Sequence, residues 1–270
     1  MESTALDHWL SDLNLPTWRY YEEVGSTNDI ALAWLDRDAP DSALVVAGHQ
    51  THGRGRLGRT WISVPEAGLA FTLIVRPNAQ SPFPVERLTA LGALAVTQAF
   101  KAGFGVDAHI KWPNDVLIAG RKVCGILVEL AWQEEQLQGA VVGIGINVGR
   151  AAVPPAEGLH YPATSLEEAL GHPINRWEVL RRVLEAFLAW RSRLTDPEFM
   201  AAWEQHLAFR GKWVQASDGL NPPLVGRVEG LSPEGHLRLR LEDGSEYRLS
   251  AGEIRPLPAP FAESSGGEDA

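Results

Sequence analysis

Residues Gly53-Arg54-Gly55-Arg56-Leu57-Gly58-Arg59-Thr60-Trp61 interleave three glycines with three arginines and end on a tryptophan. Glycine lets backbone come close to a ligand, and arginine offers a planar fork of donors suited to carboxylate or phosphate. No Asp or Glu lies between Asp41 and Glu66. The stretch therefore reads as an anion cradle with no local compensation, in a chain of formal net charge −10. A second cation stands in Lys111-Trp112-Pro113-Asn114-Asp115. A lysine at a strand end serves equally as an exposed edge charge or as the partner cation of an anion site, and the pattern alone leaves both open.

Gly53, Gly55 and Gly58 also satisfy the G-x-G-x-x-G dinucleotide fingerprint, which needs a helix to start at the loop. Residues 59–65 show no helical periodicity and end in Pro65, and the segment 69–75 again has strand composition. An anion-binding loop between two strands is the better reading. A surface loop of solvated arginines is the lesser one.

The elements that must hold these groups follow from hydrophobic period. Residues 17–24, 43–50, 69–76, 106–111, 122–131 and 137–148 have strand composition, the last so rich in apolar residues and glycine that it belongs in the centre of a sheet. Gly143 and Gly145 there leave room for a ligand or another backbone, or simply pack tightly. Ser26 and Asp29 have the spacing of a helix start, so Ser26, Thr27 and Asn28 read first as caps. A helix is predicted over 85–102 with Gly103 as its stop, a second after Asn175, and a third after Asp196-Pro197. Beyond Arg210-Gly211 the texture changes to short strands at 213–216, 224–231, 237–241 and 246–249, with a hairpin at Asp243-Gly244. The expected organisation is a domain over 1–210, a small barrel over 211–257 and a disordered tail over 258–270.

With 45% hydrophobic and 21% charged residues the composition is that of a globular protein, and the acidic balance argues against a general binder of nucleic acid or anionic membranes. Cys124, the single cysteine, sits in an apolar run and reads as a small core residue. His49 and His52 lack the neighbours of a transition-metal site. The first ten residues lack the pattern of a secretory signal and no run reaches the ~20 apolar residues of a membrane span, so the expected compartment is the cytoplasm.

Five motifs in this order, Gly25-Ser26-Thr27-Asn28, Gln50 with 53–61, Lys111 to Asp115, Arg121 to Glu129, and Gly145-Ile146-Asn147, resemble the biotin protein ligases. The resemblance implies an α+β fold: a central mixed β-sheet flanked by helices, of the class II synthetase-like or biotin-lipoate ligase type, with a small C-terminal SH3-like barrel. It departs from the repressor-type members, because fewer than 30 residues precede Ser26 and a helix-turn-helix domain is not expected. The implied chemistry has two steps: biotin carboxylate attacks the α-phosphate of MgATP, then a lysine of a biotin carboxyl carrier domain displaces AMP. Two anions must meet, which explains the cations.

By resemblance Arg56 and Lys111 are catalytic. Ser26, Thr27, Asn28, Gln50, Gly53, Arg54, Gly55, Gly125, Ile126 and Leu127 join them around biotin. Arg59, Trp61, Asn147 and Arg255 join them around ATP, with Trp61 separating biotin from adenine, Trp112 left in the core, and no protein ligand assigned to Mg2+. The glycine-rich loop is expected to order over the adenylate. Nucleic acid and membrane are not implied as partners, and weak homodimerisation through a sheet edge is left open. The alternatives are a lipoate or octanoate protein ligase, which shares fold and adenylate chemistry, and a nucleic-acid-binding module built on the basic loop; the latter lacks aromatics alternating with basic residues.

Overall fold

The computed structural model describes residues 2–78, 83–157 and 159–258. Apart from Pro258, the expected tail lies outside them.

Seven strands form the main sheet: β1 (Trp18–Val24), β2 (Leu44–Gln50), β3 (Gly68–Val75), β4 (His109–Lys111), β5 (Asp115–Ile118), β6 (Arg121–Gln133) and β7 (Gln136–Asn147). Their order is β1-β2-β3-β7-β6-β5-β4, with β1 parallel to β2 and the other pairs antiparallel. β3 is buried at every position, as its unbroken apolar run requires of a strand covered on both faces. The sheet is mixed and flanked by helices, as expected.

One face carries α3 (Leu88–Phe104), backed in turn by α5 (Arg176–Arg191) and the short α1 (Glu2–Leu10). Sandwiched between sheet and α5, α3 is apolar nearly all round. Its Gly92 allows close approach: a Cβ there would stand 3.2 Å from Ile126 and 3.3 Å from Val142. The opposite face carries α2 (Thr27–Leu35), whose Ala31, Trp34 and Leu35 close a second, smaller core. Asn175 caps α5 as expected, its Oδ1 accepting from Trp177 N at 2.8 Å.

Several boundaries differ from expectation. α3 runs past Gly103 and ends at Gly105, which takes the left-handed conformation (φ 69°); residues 85–87 form only a 3-10 turn. Both glycines could stop a helix, but Gly103 packs with helical geometry against Arg182. The strand expected over 106–111 is reduced to β4, with residues 105–108 outside any helix or strand. β5, α1 and the five-residue α4 (Leu166–Leu170) had no sequence counterpart.

After α6 (Pro197–Gln205) the linker pairs with β4: Ile110 N donates to His206 O at 2.7 Å and Ala208 N to Ile110 O at 2.9 Å. The C-terminal domain then forms its own antiparallel sheet of β8 (Trp213–Ser217), β9 (Leu224–Leu231), β10 (Leu237–Leu241), β11 (Glu246–Leu249) and β12 (Glu253–Pro256), in the order β11-β10-β9-β8-β12. Leu237 and Leu239 point inward and Arg238 and Arg240 outward, as their alternation predicts. β12 was not anticipated.

Candidate functional site

A cleft of about 440 Å³ opens where the loop 51–62, the ends of β4 to β7 and the start of β12 converge. Such a volume suits a small-molecule site.

At its polar end lies the first turn of α2. Thr27 N and Oγ1 donate to Gln50 Oε1 at 2.7 and 2.9 Å. Thr72 Oγ1 lies 2.8 Å from Thr27 Oγ1 and 2.7 Å from Asn28 Oδ1, while Asn28 Nδ2 donates to Glu129 Oε2 at 2.7 Å. Asn28 reaches this position because Gly143 lacks a Cβ, which would overlap the amide. Ser26 stands at the N-cap of α2 but makes no side-chain capping bond; it is buried and lines the cleft. The helix starts at Ser26 as the spacing predicts, but the Ser26 hydroxyl does not cap it, and Thr27 and Asn28 lie inside α2 rather than at its cap. The network binds the start of α2 to β2, β3 and β6 with directional polar groups facing a partly apolar wall of Ile126 and Leu127.

The loop itself is an extension of β2 and β3 rather than a helix start, which removes the dinucleotide reading. Arg54 bridges to Thr60, Trp61 N donates to Gly53 O at 2.9 Å, and a 3-10 turn over Arg56–Gly58 forms the tip, with Leu57 (φ 57°) and Gly58 (φ 72°) left-handed. Gly53 does not line the cleft. It packs beneath, where any Cβ would collide with Trp61 O.

The expectation that the loop's charge is uncompensated is corrected by groups distant in sequence. Arg54 pairs with Asp29 and with Glu129 Oε2 at 2.7 Å, and Arg59 pairs with Glu253 of β12. Arg56 differs. Its Nη1 donates to Asn114 Oδ1 at 3.0 Å and to Gly252 O at 3.3 Å, and among the described residues no carboxylate lies within ion-pair distance. Burial pushes its pKa down, against the more distant Glu253 and Asp115. An arginine stays protonated regardless, so Arg56 is a half-buried cation with unspent attraction for an anion.

Lys111 is buried with 7% of its surface exposed, which decides against an exposed edge charge. Its Nζ stands 3.1 Å from Asp115 Oδ2 and 5.0 Å from the centre of the Tyr161 ring. Lys122 Nζ meets the other oxygen, Asp115 Oδ1, at 2.6 Å. Burial alone would raise the Asp115 carboxyl; Lys122 and Lys111 outweigh it and hold it below the usual carboxylate range. Two cations sharing one carboxylate leave net positive charge in the cleft. Lys122 and Asp115 lie within two of the five motifs, yet local sequence assigns neither a role. The antiparallel pairing of β5 with β6, Asp115 opposite Gly125, is what brings Lys122 to the carboxylate.

Trp61 lies across the bare strands between these groups. A Cβ on Gly125 would stand 3.2 Å from the indole, and one on Gly145 would overlap it, 2.6 Å from Nε1. Lys122 Nζ is 5.7 Å from the ring centre. Gly143 and Gly145 thus admit side chains, not a second backbone.

Asn147 lines the cleft, buried, with Nδ2 donating to Thr164 O at 3.1 Å. Arg255 lines it from an exposed position on β12. Trp112 is in the core as expected. Cys124 is fully buried and burial pushes its thiol pKa up, so it is a packing residue. Among the described residues no helix is long and apolar enough to cross a membrane.

The described geometry has counterparts in known proteins. Residues 20–147 match the model of the biotin/lipoate A/B protein ligase family, and residues 211–255 that of the biotin protein ligase C terminal domain. The bifunctional ligase/repressor BirA of Bacillus spizizenii is 35% identical over 238 residues, covering 86% of this chain and 72% of the relative. The biotin--[acetyl-CoA-carboxylase] ligase of Paracoccus denitrificans is 34% identical, covering 85% of this chain and 96% of the relative. Among solved structures, a biotin protein ligase from Aquifex aeolicus in complex with biotin and ATP superposes with a TM-score of 0.77 at 29% identity, covering 90% of this chain and 99% of that one.

Proposed function

Because the chain belongs to the biotin protein ligase family, in both its catalytic and its C-terminal parts, we propose that it is an ATP-dependent ligase that joins biotin to AMP and then to a lysine of a protein. The observation that carries this reading is the cleft's division: a polar pocket at Thr27 and Gln50, a cationic centre at Arg56, Lys111 and Lys122, and the Trp61 ring between them.

Biotin's ureido ring is uncharged and needs directional hydrogen bonds, which Ser26, Thr27 and Gln50 supply, with Asn28 orienting them and Gly55, Gly125, Ile126 and Leu127 forming walls. Gly53 and Arg54 serve by holding the loop root, since the Arg54 side chain is committed to Asp29 and Glu129. The valeryl carboxylate then lies towards Arg56 and Lys111. One carboxylate oxygen attacks the α-phosphorus of MgATP, the new C–O–P link forms, and the bond to the β-phosphate oxygen breaks to release pyrophosphate. Arg56 and Lys111 neutralise the charge that accumulates. No base is needed, because the nucleophile is already ionised. In the second step the neutral amine of the acceptor lysine attacks the acyl carbon and AMP leaves. Arg59, Asn147 and Arg255 face the nucleotide, and Trp61 packs between the two ligands. Mg2+ enters with the triphosphate.

The acceptor in this proposal is a biotin carboxyl carrier domain of a carboxylase, in keeping with the names of the relatives. The reaction needs a compartment that supplies ATP, and in this proposal that compartment is the cytoplasm. Self-association through an edge of the main sheet would use β1, since β4 is already paired by residues 206–208. The deciding test is exchange of labelled pyrophosphate into ATP with biotin, lipoate or octanoate. Biotin-only exchange is expected; exchange with lipoate instead would overturn the substrate assignment.

A further inference from the structure

Two of the places where the C-terminal domain meets the catalytic domain lie well apart. One is the start of β12, where Gly252 O accepts from Arg56 and Glu253 pairs with Arg59 at the cleft. The other is the β9–β10 turn, residues 232–235, outside the cleft lining. There Trp112 Nε1 donates to Gly235 O at 3.1 Å and Arg87 Nη2 to Pro233 O at 3.3 Å. The Trp203 ring fills the space above Gly235, where a Cβ would stand 2.6 Å from it. Gly235 also has φ 90°, so no other residue fits that turn easily.

The turn is rigid in itself: Gly235 N donates to Ser232 O at 2.9 Å and His236 N to Ser232 Oγ at 3.2 Å. A rigid turn leads directly into β9, which is hydrogen-bonded to β8 and through it to β12. Whatever fixes the turn therefore fixes the β12 edge as well. Trp112 is buried with 2% of its surface exposed, and Gly235 is buried too. Removing the indole donor would leave a carbonyl without its partner inside the interface. Lys111 and Trp112 are neighbours in the chain, one turned into the cleft against Asp115 and the other out onto the small domain.

We propose that Trp112 is a positioning residue that seats the small domain, holding the Gly252–Arg255 edge over the nucleotide side of the cleft in register with Lys111. The nucleotide assignment rests on the ligase reading above; the seating itself does not. Trp112→Phe keeps one aromatic ring but removes the donor together with part of the indole's volume, so its thermal unfolding is measured beside it. In the full-length, unliganded protein, amide hydrogen exchange at residues 253–255 accelerates. In the exchange assay the KM for ATP rises about five-fold, the scale of one neutral hydrogen bond, while biotin affinity stays within about two-fold. Gly235→Ala gives the same signature from the other side of the contact, and the double variant is no worse than the stronger single one. Unchanged exchange at 253–255 with unchanged KM, or equal losses for ATP and biotin, overturns the proposal, since general loosening has no reason to spare biotin. If Trp112→Phe fails a thermal-unfolding check, Arg87→Gln tests the same turn through Pro233. A wild-type protein without biotin-dependent exchange would refute the ligase reading, and hydrogen exchange would still decide the seat.

Discussion

The Trp61 indole rests on the bare backbone of Gly145, where a methyl group would stand 2.6 Å from the ring nitrogen. Gly145→Ala therefore expels the ring from its place without touching any charged group. Adenylation efficiency for ATP is expected to fall about ten-fold or more, with a change in melting temperature of only a few degrees. Steady-state kinetics beside a melting curve checks this, and an unaffected kcat/KM would mean that the ring's place is irrelevant.

Lys111 shares Asp115 with Lys122, so its loss leaves the carboxylate paired but removes the buried cation. Lys111→Met is expected to slow biotin-dependent pyrophosphate exchange about a hundred- to a thousand-fold. Calorimetric biotin binding is expected to change by only a few-fold, because the polar pocket is untouched.

Arg56 joins the loop to Asn114 on one side and Gly252 on the other. Arg56→Gly loses both ties and the free cation, so the adenylate is retained less well. Biotin then appears on lysines of a bystander protein such as serum albumin, detected by avidin blot. Labelling confined to the cognate carrier would remove this role.

The loop root is held by the Arg54 ion pairs, whereas Leu57 at the tip is 72% exposed. Limited trypsinolysis is expected to cut after Arg56 or Arg59 and to spare Arg54, with protection by biotin plus ATP. Equal cleavage with and without ligands would argue against an ordering loop.

Asp115 has its carboxyl held below the usual range by Lys122 and Lys111 despite burial. A depressed native pKa contributes stability above the unfolded value, about 3.9 for Asp, and that contribution disappears as pH falls through the lower native value. Asp115→Asn is expected to cost on the order of 3 kcal/mol near neutral pH, where the buried Lys111 and the half-buried Lys122 lose their anion. The gap in melting temperature between the two proteins then closes below about pH 4. A gap independent of pH would mean that the ion pairs contribute nothing.

The groups that stood out in the sequence did so through local chemistry. Arg56, Lys111, Gln50 and Trp61 stand in short motifs, and the cleft collects them. The sheet was legible because β3 and β7 are long apolar runs, and α5 because Asn175 caps a regular period. What could not be read was pairing at a distance. Nothing near Arg54 announces Glu129, 75 residues later, nor does anything near Arg59 announce Glu253 on another domain. Short elements failed for the opposite reason: the four residues of β5 and of β12 are strands only because a neighbour supplies the ladder. Both Gly103 and Gly105 could stop the helix, and only the structure shows that Gly105 takes the left-handed conformation while Gly103 packs against Arg182 of another helix.

The linker residues 206–208 give Ile110 its hydrogen-bond partners. This makes the peptide between the two domains a one-residue bridge that covers the outer margin of β4, and it sets where the chain can be shortened. Ending it just after Gly211 would remove the small domain yet leave the sheet margin covered. Ending it five or six residues earlier would bare the Ile110 N–H and C=O beside an apolar core, a template on which a second molecule could add its own strand and begin to aggregate.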